Sequence, residues 1–556
     1  MTRKVRPPVG TPLHQMPDWA PHERPMMAGS PATPYFPPRI RLAYGLVAVL
    51  LGVTGSLGTA LVSVNLPAIQ GDLGLDPAQG AWLNTVYVTV YVSMNLLVVK
   101  YRQQYGLIRF VKVFLTAYAA ATVAHLFSDS FASALTVRAV SGVVGAAMGP
   151  VTLFYMLQAF PPKFKPQALI LGIGVAQFGI PLARVISPVL LDLGDWHGVY
   201  AFEAGLALAC LAAVSALRVP AGFRIQAFER KDAVSFALFA SGFALLVAAL
   251  GLGRISWWLD APWVGWSLAG SIALIAAGAT YEHYRENPLI DTRWIAQPSF
   301  LRFIFGILVV RILLSEQTYA APGLMQAIGM GPEQMQQLFA VVLIASILGV
   351  LFGAFSLLIS PGVVPVQMMV ALALIAVGGF MDARATIDTH PAQLFVSQSL
   401  LGFSSAMFMG AAMMTGLGQL IRRGFHSIIT FSMTVGVTQI MGGVLGGAIF
   451  STLEAMRAAH HAAYLSESVV ASNPATAHTL QAYGGAYAST VVDPALRSVD
   501  GAALLAQQAA QQANVLAFND IFLIIAVTAT AMIGLNLFFS IRAALKARAA
   551  QTATPA

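Results

Sequence analysis

The sequence predicts an all-α, polytopic membrane protein, and two features lead to that fold class. Hydrophobic residues make up 57% of the 556-residue chain and charged residues only 10%, whereas soluble domains carry roughly 25% charged residues. Apolar stretches of the ~20 residues that a helix needs to cross a bilayer recur along the chain. The basic residues behind the net charge of +8 lie in short loops, which is typical of membrane insertion and not of nucleic-acid binding.

The apolar stretches place about fourteen transmembrane helices in the chain. They fall near 42–66, 80–99, 107–127, 131–158, 167–191, 198–217, 233–252, 263–281, 303–323, 336–359, 364–381, 392–420, 427–452 and 518–541.

The loop charges predict the orientation of these helices. Basic residues lie before the first helix and in most alternate loops after it. The remaining loops carry acidic residues instead, namely Asp72, Asp76, Asp129, Asp192, Asp195 and Glu333. Because basic loops stay in the cytoplasm, both termini are predicted to be cytoplasmic, which an even number of helices allows.

Two long polar segments lie outside the predicted helices. Residues 1–38 are rich in proline and lack the apolar core of a signal peptide, so we expect a disordered cytoplasmic tail. Residues 456–518 form a long external segment before the last helix. That segment contains His460 and His461, but adjacent side chains on a helix point apart, so we expect no metal site.

Four segments resemble the EmrB/QacA-type drug:proton antiporters, the fourteen-span branch of the major facilitator superfamily, and EmrB most of all. "TALVSVNLPAIQGDLGLDPAQGAWLNTVYV" (59–88) is similar to the region between the family's first and second helices, and "RAVSGVVGAAMGP" (138–150) to its fourth helix. "ENPLIDTRW" (286–294) is similar to the loop before the second half. "VTQIMGGVLGGAIFSTLEAMRAAHH" (437–461) looks like the end of the family's penultimate helix.

The resemblance implies a fold of two six-helix bundles with two extra helices between them. The implied bundles are residues 39–218 and 299–545, the linker helices lie within 219–298, and 546–556 form a second cytoplasmic tail. It also implies alternating access in the bacterial inner membrane, driven by the proton gradient without a cofactor. A periplasmic adaptor like EmrA and an outer-membrane channel are the implied partners, and small amphipathic compounds the implied substrates.

The chain departs from the family pattern at its coupling motifs. Gly58 stands where the family has an aspartate in the first helix, and Gln439 where a basic residue is usual. In the loop after the second helix, Gln103 and Gln104 replace charged residues. In the fifth helix, Ser187-Pro188 takes the place of the expected Gly-Pro.

Five ionisable residues lie well inside predicted helices, where a charge needs a partner or a function. They are Arg138, Arg184, Glu203, Arg311 and Glu316. At a rise of ~1.5 Å per residue, Arg184 is ~12 Å from the outer loop and Glu203 ~8 Å. These similar depths predict an ion pair between them, with either a structural role or a role in proton coupling.

Glu316 is the expected proton carrier, with Arg311 beside it in the first helix of the second half. A carboxyl group in a water-poor cavity can exchange a proton near neutral pH, as such a carrier must.

A polar and aromatic stripe on the second helix is the expected substrate surface. Asn84, Tyr87, Tyr91 and Asn95 are spaced by three or four residues and therefore share one helical face. This stripe, together with Gln439, suits a cavity wall for amphipathic ligands. A hydrogen-bonding seam between helices is the alternative.

Three functions remain open from the sequence. The leading one is a proton-coupled exporter of amphipathic toxic compounds, acting as the pump of a tripartite system. The second is an exporter of one metabolite, such as an anionic aromatic acid that the arginines would suit. The third is a degenerate transporter that acts as a sensor or scaffold. No segment carries a nucleotide-binding or catalytic motif, so an enzyme is not expected.

Overall fold

The computed structural model describes residues 8–14, 18–21, 23–360, 362–424, 427–470, 473–486 and 488–552. Regular structure in these residues is helical, apart from an isolated bridge between Pro12 and Ile225. The predicted all-α fold class is therefore confirmed.

Eighteen α-helices lie within the described residues. They are α1 (Pro38–Val64), α2 (Leu66–Asp72), α3 (Pro77–Tyr105), α4 (Leu107–His125), α5 (Phe131–Ala159), α6 (Lys165–Gly174), α7 (Gly179–Ala216), α8 (Lys231–Leu252), α9 (Pro262–His283), α10 (Thr292–Ile295), α11 (Pro298–Leu313), α12 (Ala320–Ala327), α13 (Pro332–Phe355), α14 (Val363–Asp382), α15 (Phe395–Arg423), α16 (Ile428–Ser468), α17 (Pro474–Ala486) and α18 (Pro494–Thr552).

Thirteen helical segments in the described part of the chain are long and apolar enough to cross a membrane. One of them, Pro162–Ala216, has 55 residues, which is far more than the ~20 that one crossing needs. Its helix breaks at Gly194 and Asp195, and Asp195 has a φ of 50°. The break separates the fifth and sixth predicted helices. The number fourteen and the cytoplasmic termini remain predictions.

Local sequence explains where helices begin and end. Asp76 begins α3 with a capping box, since its carboxylate accepts from the amide of Gln79 at 2.7 Å while the Gln79 side chain accepts from the Asp76 amide. Pro77 at the first helical position needs no hydrogen-bond partner for its nitrogen. Gly106, with a φ of 85°, ends α3 and allows α4 to start at the next residue.

The chain divides into two compact units. The first unit contains residues Met1–Ile312, Phe339–Ala371 and Gly402–Leu445. In this unit α1 packs against α5 and α7, and α3 packs against α5 and α8. Small residues allow the close approaches: a Cβ on Gly142 of α5 would lie 2.6 Å from the carbonyl oxygen of Tyr87 in α3.

The second unit contains Leu313–Leu338, Leu372–Leu401 and Gly446–Ala556. The inner part of α18 packs on α12 and α14, because Phe518 lies over Gly323 and the backbone of Phe522 lies against Gly379. The predicted external segment is helical: it holds the end of α16, the whole of α17 and the start of α18.

The N-terminal segment was expected to be a disordered tail, and the described part of it contradicts that expectation. The backbone amides of Gly10 and Gly29 donate to the carbonyl oxygens of Gln226 at 2.9 Å and Phe223 at 3.0 Å. Ala32 is buried. The composition of residues 1–38 could not reveal this order, because the partners belong to the connection between α7 and α8.

A buried ionic cluster, formed by Lys100, Asp232, Arg285, Glu282 and Glu229, ties α8 and α9 to the end of α3. Lys100 contacts Asp232 at 2.7 Å, and Arg285 contacts Asp232 at 2.8 Å, Glu282 at 2.7 Å and Glu229 at 3.0 Å. Burial by itself lowers the pKa of Arg285, but hydrogen bonds to Asp232 and Glu282 outweigh burial and raise it. Arg285 therefore keeps its charge, and its contacts fix the linker helices.

Replacing Asp232 by Asn is expected to lower the free energy of unfolding by about 3–5 kcal/mol, because Lys100 and Arg285 would lose a shared buried anion. The measurement is denaturation in detergent, followed with a thiol-reactive dye that reports exposure of Cys210, which is the only cysteine and fully buried.

The matched control is Arg423→Gln, which breaks the exposed pair with Asp291. That change should cost less than about 1 kcal/mol. Equal losses for the two variants would contradict the assignment.

Candidate functional site

Arg138 is the central buried cation of the first unit. It is 0% exposed, and its Nη1 donates to the carbonyl oxygen of Gly58 at 3.0 Å while its Nε reaches that of Leu83 at 3.4 Å. Its guanidinium lies 4.3 Å from the ring centroid of Tyr87. One side chain of α5 thereby joins α1 and α3.

Glu203 lies next to this arrangement, in the second half of α7. The Tyr118 hydroxyl donates to Glu203 Oε1 at 3.1 Å. A Cβ on Gly58 would lie 3.0 Å from that same oxygen and would overlap the Tyr118 hydroxyl. The carboxyl group of Glu203 therefore occupies space that any side chain at position 58 would need. This packing gives a physical reason for the glycine that sequence reasoning noted only as a departure.

The predicted ion pair between Arg184 and Glu203 is wrong. Glu203 faces Tyr118 of α4, whereas the Arg184 guanidinium lies 4.8 Å from the ring centroid of Phe339 in α13. Similar depth misled the prediction, because the two residues lie on opposite sides of the break at Gly194 and face different helices.

Glu316 belongs to a buried cluster in the second unit that also includes Gln398 and Asp382. The Gln398 amide donates to Glu316 at 2.6 Å and to Asp382 at 2.8 Å. Glu316 is 0% exposed and the other two are 1% exposed. Glu316 Oε2 and Gln398 Oε1 have no hydrogen-bond partner in the described part of the chain. A proton on either carboxyl group would therefore supply a donor that the cluster lacks.

Sequence reasoning missed Asp382 and Gln398. Asp382 ends an apolar stretch in "FMDARATID" and resembled a loop residue, while Gln398 sits inside "FVSQSLLGF" without a neighbouring charge. The structure also places Asp382 on the wall of a cavity of about 280 Å³, with Arg384, Thr386, Thr389 and Gln393 among the other lining residues.

Arg311 lies in the first unit, where its Nε donates to the carbonyl oxygen of Gln439 at 3.2 Å. A Cβ on Gly442 would lie 2.5 Å from the Cβ of Arg311, so the glycine permits this close approach of α11 and α16. The role of Arg311 in proton coupling stays a prediction.

The predicted substrate stripe on α3 is divided between two environments. Tyr87 is only 2% exposed and packs against Arg138, so it belongs to a helix–helix seam. Asn84 accepts a hydrogen bond from Ser63 at 3.2 Å, and Asn95 donates to the carbonyl oxygen of Tyr91 in its own helix at 3.0 Å. Both asparagines and Tyr91 remain partly exposed.

The C-terminal part of α16 and the middle of α18 are joined by an ionic contact in the second unit. Asp520 accepts from Arg457 at 2.6 Å and lies 2.7 Å from Nε2 of His461. His461 therefore has a structural partner.

Comparison with known proteins agrees with the sequence resemblance. A family model described as Major Facilitator Superfamily matches residues 48–281. The puromycin resistance protein of Streptomyces alboniger is 23% identical over 79% of this chain and 87% of its own length. Multidrug export protein EmrB of Escherichia coli is 22% identical over 84% of this chain and 89% of its own length.

Solved structures share the fold. The human organic anion transporter MFSD10 matches with a TM-score of 0.52 at 14% identity, over 89% of this chain and 100% of that one. A bacterial homologue of the human drug peptide transporters PepT1 and PepT2 matches with a TM-score of 0.53 at 11% identity, over 89% of this chain and 98% of that one. These matches show the fold alone, and the sequence matches confirm the predicted resemblance.

Replacing Gly58 by Ala is expected to destabilise the protein by about 1–3 kcal/mol, because the added methyl group would displace Tyr118 and Glu203. Thermal denaturation in detergent measures this effect.

The control is Gly205→Ala, which adds the same methyl group in α7 where nothing lies within 4 Å. It should be neutral or slightly stabilising, since alanine favours a helix over glycine by about 1 kcal/mol. A Gly58→Ala variant as stable as the control would rule out the packing described for Glu203.

Proposed function

We propose that the chain is a transporter of the major facilitator superfamily, similar to EmrB/QacA-type drug exporters, and that it exports amphipathic toxic compounds across the bacterial inner membrane in exchange for protons. The names of its relatives, which refer to puromycin resistance and multidrug export, support the class of cargo. The alternating access of this fold supplies the route, and the proton gradient supplies the driving force.

One observation carries the proton-coupled part of this proposal: two buried carboxyl groups share one amide. Glu316 and Asp382 both accept from Gln398, at 2.6 and 2.8 Å, and neither forms an ion pair with a cation among the described residues. If both carboxyl groups were ionised, two negative charges would lie close together in the protein interior without a cation to compensate them. Ionisation of both groups at the same time is therefore unfavourable. The pair is therefore suited to gain and lose a proton during a transport cycle.

The transport cycle follows from that property. A proton entering from the outer side binds the carboxyl pair and favours release of cargo outward. Loss of this proton to the cytoplasm restores the negative charge of the carboxyl pair and returns the protein to the conformation that binds cargo from the cytoplasm. Gln398 holds the two carboxyl groups in place throughout, and Glu316 is the group we assign as the carrier.

Glu316→Gln is expected to abolish export driven by a pH gradient in proteoliposomes while retaining substrate binding, because the amide keeps the size of the side chain but cannot titrate. Asp382→Asn should weaken coupling through loss of the second acidic group. The measurement is uptake of ethidium into inside-out proteoliposomes with and without an imposed gradient.

The matched control for this experiment is Glu333→Gln, an exposed acid at the start of α13, which should transport like the parent. If Glu316→Gln pumps as well as Glu333→Gln, the assignment of the carrier is wrong. If Glu203→Gln folds normally but is uncoupled, then Glu203 is the carrier. Absence of transport by the parent protein with every compound tried would favour the sensor or scaffold.

The external helices support a partnership with a periplasmic adaptor and an outer-membrane channel. We define the external hairpin as the end of α16 from Met456, α17 and the start of α18 to Phe518. Its inner contact is tight, since a Cβ on Gly501 of α18 would lie 2.8 Å from the backbone nitrogen of Gly484 in α17. Apolar side chains remain exposed at its surface: Val492 is 90% exposed, Leu496 56% and Val499 63%. An exposed apolar face on a packed hairpin suits protein docking.

A Leu496→Gln/Val499→Gln double variant is expected to abolish resistance in cells but leave transport in proteoliposomes unchanged, because only the cellular route needs the adaptor. Growth in the presence of toxic compounds, in a strain lacking its own pumps, gives the readout.

A polar double variant on the same helix, Gln507→Ser/Gln511→Ser, serves as the control and should keep resistance. Replacing the whole 456–518 segment by a short Gly/Ser linker should give the same loss of resistance as the apolar double variant. Undiminished resistance in both cases would refute docking through the external hairpin.

A further inference from the structure

Arg184 is a half-buried cation that the mechanism above does not use. It lies in the apolar sequence "QFGIPLARVISPVLLDL" of α7, about 12 Å from the loop at Asp192 by helical rise. Its Nε is buried and has no hydrogen-bond partner in the described chain. None of the described residues forms an ion pair with its guanidinium.

The guanidinium is nevertheless held in a defined place. It lies 4.8 Å from the ring centroid of Phe339, which is itself 1% exposed. A ring face attracts a cation but accepts no in-plane hydrogen bonds, so the N–H groups that lie in the guanidinium plane remain available. Stacking on the Phe339 ring therefore fixes the orientation of the guanidinium and leaves its N–H groups free to donate to a ligand.

Three other arginines of the first unit contrast with Arg184, whereas Arg102 resembles it, with a buried Nε that has no hydrogen-bond partner among the described residues and a stacking contact to Phe154. Arg138 donates to backbone carbonyl oxygens and Arg285 to carboxylates. Arg311 donates to the carbonyl oxygen of Gln439. Among these four side chains, Arg184 is the one for which the described protein supplies neither an acceptor nor an anion. A bound anion would supply the acceptor atoms and the negative charge that the protein does not provide to Arg184.

We propose that Arg184 and Phe339 form a binding subsite for an organic anion, with the guanidinium binding a carboxylate and the Phe339 ring packing against the apolar body of the ligand. The substrate class is thus an aromatic or otherwise amphipathic acid. This inference rests on the proposed export function and adds to it a specific preference within the cargo. A bidentate pair between guanidinium and carboxylate gives both the charge and the planar geometry that such recognition needs.

The neighbouring helices supply a rigid frame for this subsite. Asn65, the residue between α1 and α2, donates to Ser187 of α7 at 2.8 Å, one turn beyond Arg184. On the other side, Gly174 of α6 would clash with Val350 of α13 if it carried a side chain, which brings α6 and α13 into direct contact. The helix that carries Arg184 is therefore held by the Asn65–Ser187 hydrogen bond, and the helix that carries Phe339 is held by its close contact with α6.

The test is equilibrium binding of radiolabelled salicylate, with salicylamide as the uncharged isostere, to the full-length protein in phosphatidylcholine nanodiscs. The parent protein should bind salicylate more tightly than salicylamide. Arg184→Gln should weaken salicylate binding by about tenfold or more and leave salicylamide binding unchanged, because a charge-assisted bidentate contact is lost. Arg184→Lys, which keeps the charge but not the fork, should give an intermediate loss, and Phe339→Leu should weaken both ligands.

Arg102→Gln is the matched control, since Arg102 stacks on Phe154 at 4.6 Å in the same manner but lies at the end of α3. That variant should bind salicylate like the parent. Each variant is first required to elute as a single species in gel filtration, and Arg184→Lys keeps the test decisive if Arg184→Gln does not fold.

Three results would overturn the proposal: equal binding of the acid and the amide, salicylate binding that survives Arg184→Gln, or displacement of salicylate by phosphatidylglycerol added to the nanodiscs. The last result would assign the arginine to a lipid headgroup. Ethidium transport, measured in parallel, separates this inference from the export function. Retained ethidium export without salicylate binding defeats only the anion subsite, whereas loss of all export defeats the proposed function.

Discussion

The absence of water from the hydrocarbon core is the constraint on which this structure depends, because a donor, acceptor or charge that lies there can be stabilised only by another group of the protein or by a ligand. Arg138 shows the solution most fully. Its guanidinium is completely buried, yet two backbone carbonyl oxygens and a tyrosine ring surround it. Carbonyl oxygens carry partial charge, so they stabilise the cation without a titrating partner. The same side chain therefore joins α5 to α1 and α3, and it fixes the space into which Glu203 projects.

Two buried carboxyl groups, those of Glu203 and Glu316, also have neutral partners among the described residues. Glu203 has a tyrosine hydroxyl as its donor and Glu316 has an amide, and neither is paired with a cation. Neutral donors stabilise a carboxylate less than a cation does, so they leave the protonated form accessible. The ionic pairs of full strength are found instead where α8 and α9 join α3, and there they serve attachment.

Hydropathy along the chain was sufficient for the fold class and for the presence of many membrane-length apolar helices, because crossing a bilayer is a local property of about twenty residues. It was also sufficient to identify Arg138, Arg184, Glu203 and Glu316 as ionisable residues inside apolar helices, of which all but Arg184 are buried. It could not identify their partners. A partner lies on another helix, and neither depth nor sequence distance states which face a side chain occupies, as the Arg184–Glu203 error shows. Asp382 and Gln398 were missed for a related reason, since the importance of each arises only from contact with Glu316. The order in the N-terminal segment likewise depends on partners two hundred residues away.

The continuity of α18 has a mechanical consequence. One helix runs from Pro494, outside the apolar stretch, to Thr552, and no break separates the external part from the membrane part. The external part of about 25 residues is roughly 37 Å long at the rise of an α-helix. A rigid rod of that length acts as a lever, so a tilt of the membrane part by about 10° would displace its outer end by roughly 6 Å, several times the movement close to the membrane surface. Small rearrangements within the bilayer would thus be amplified at the surface farthest from it.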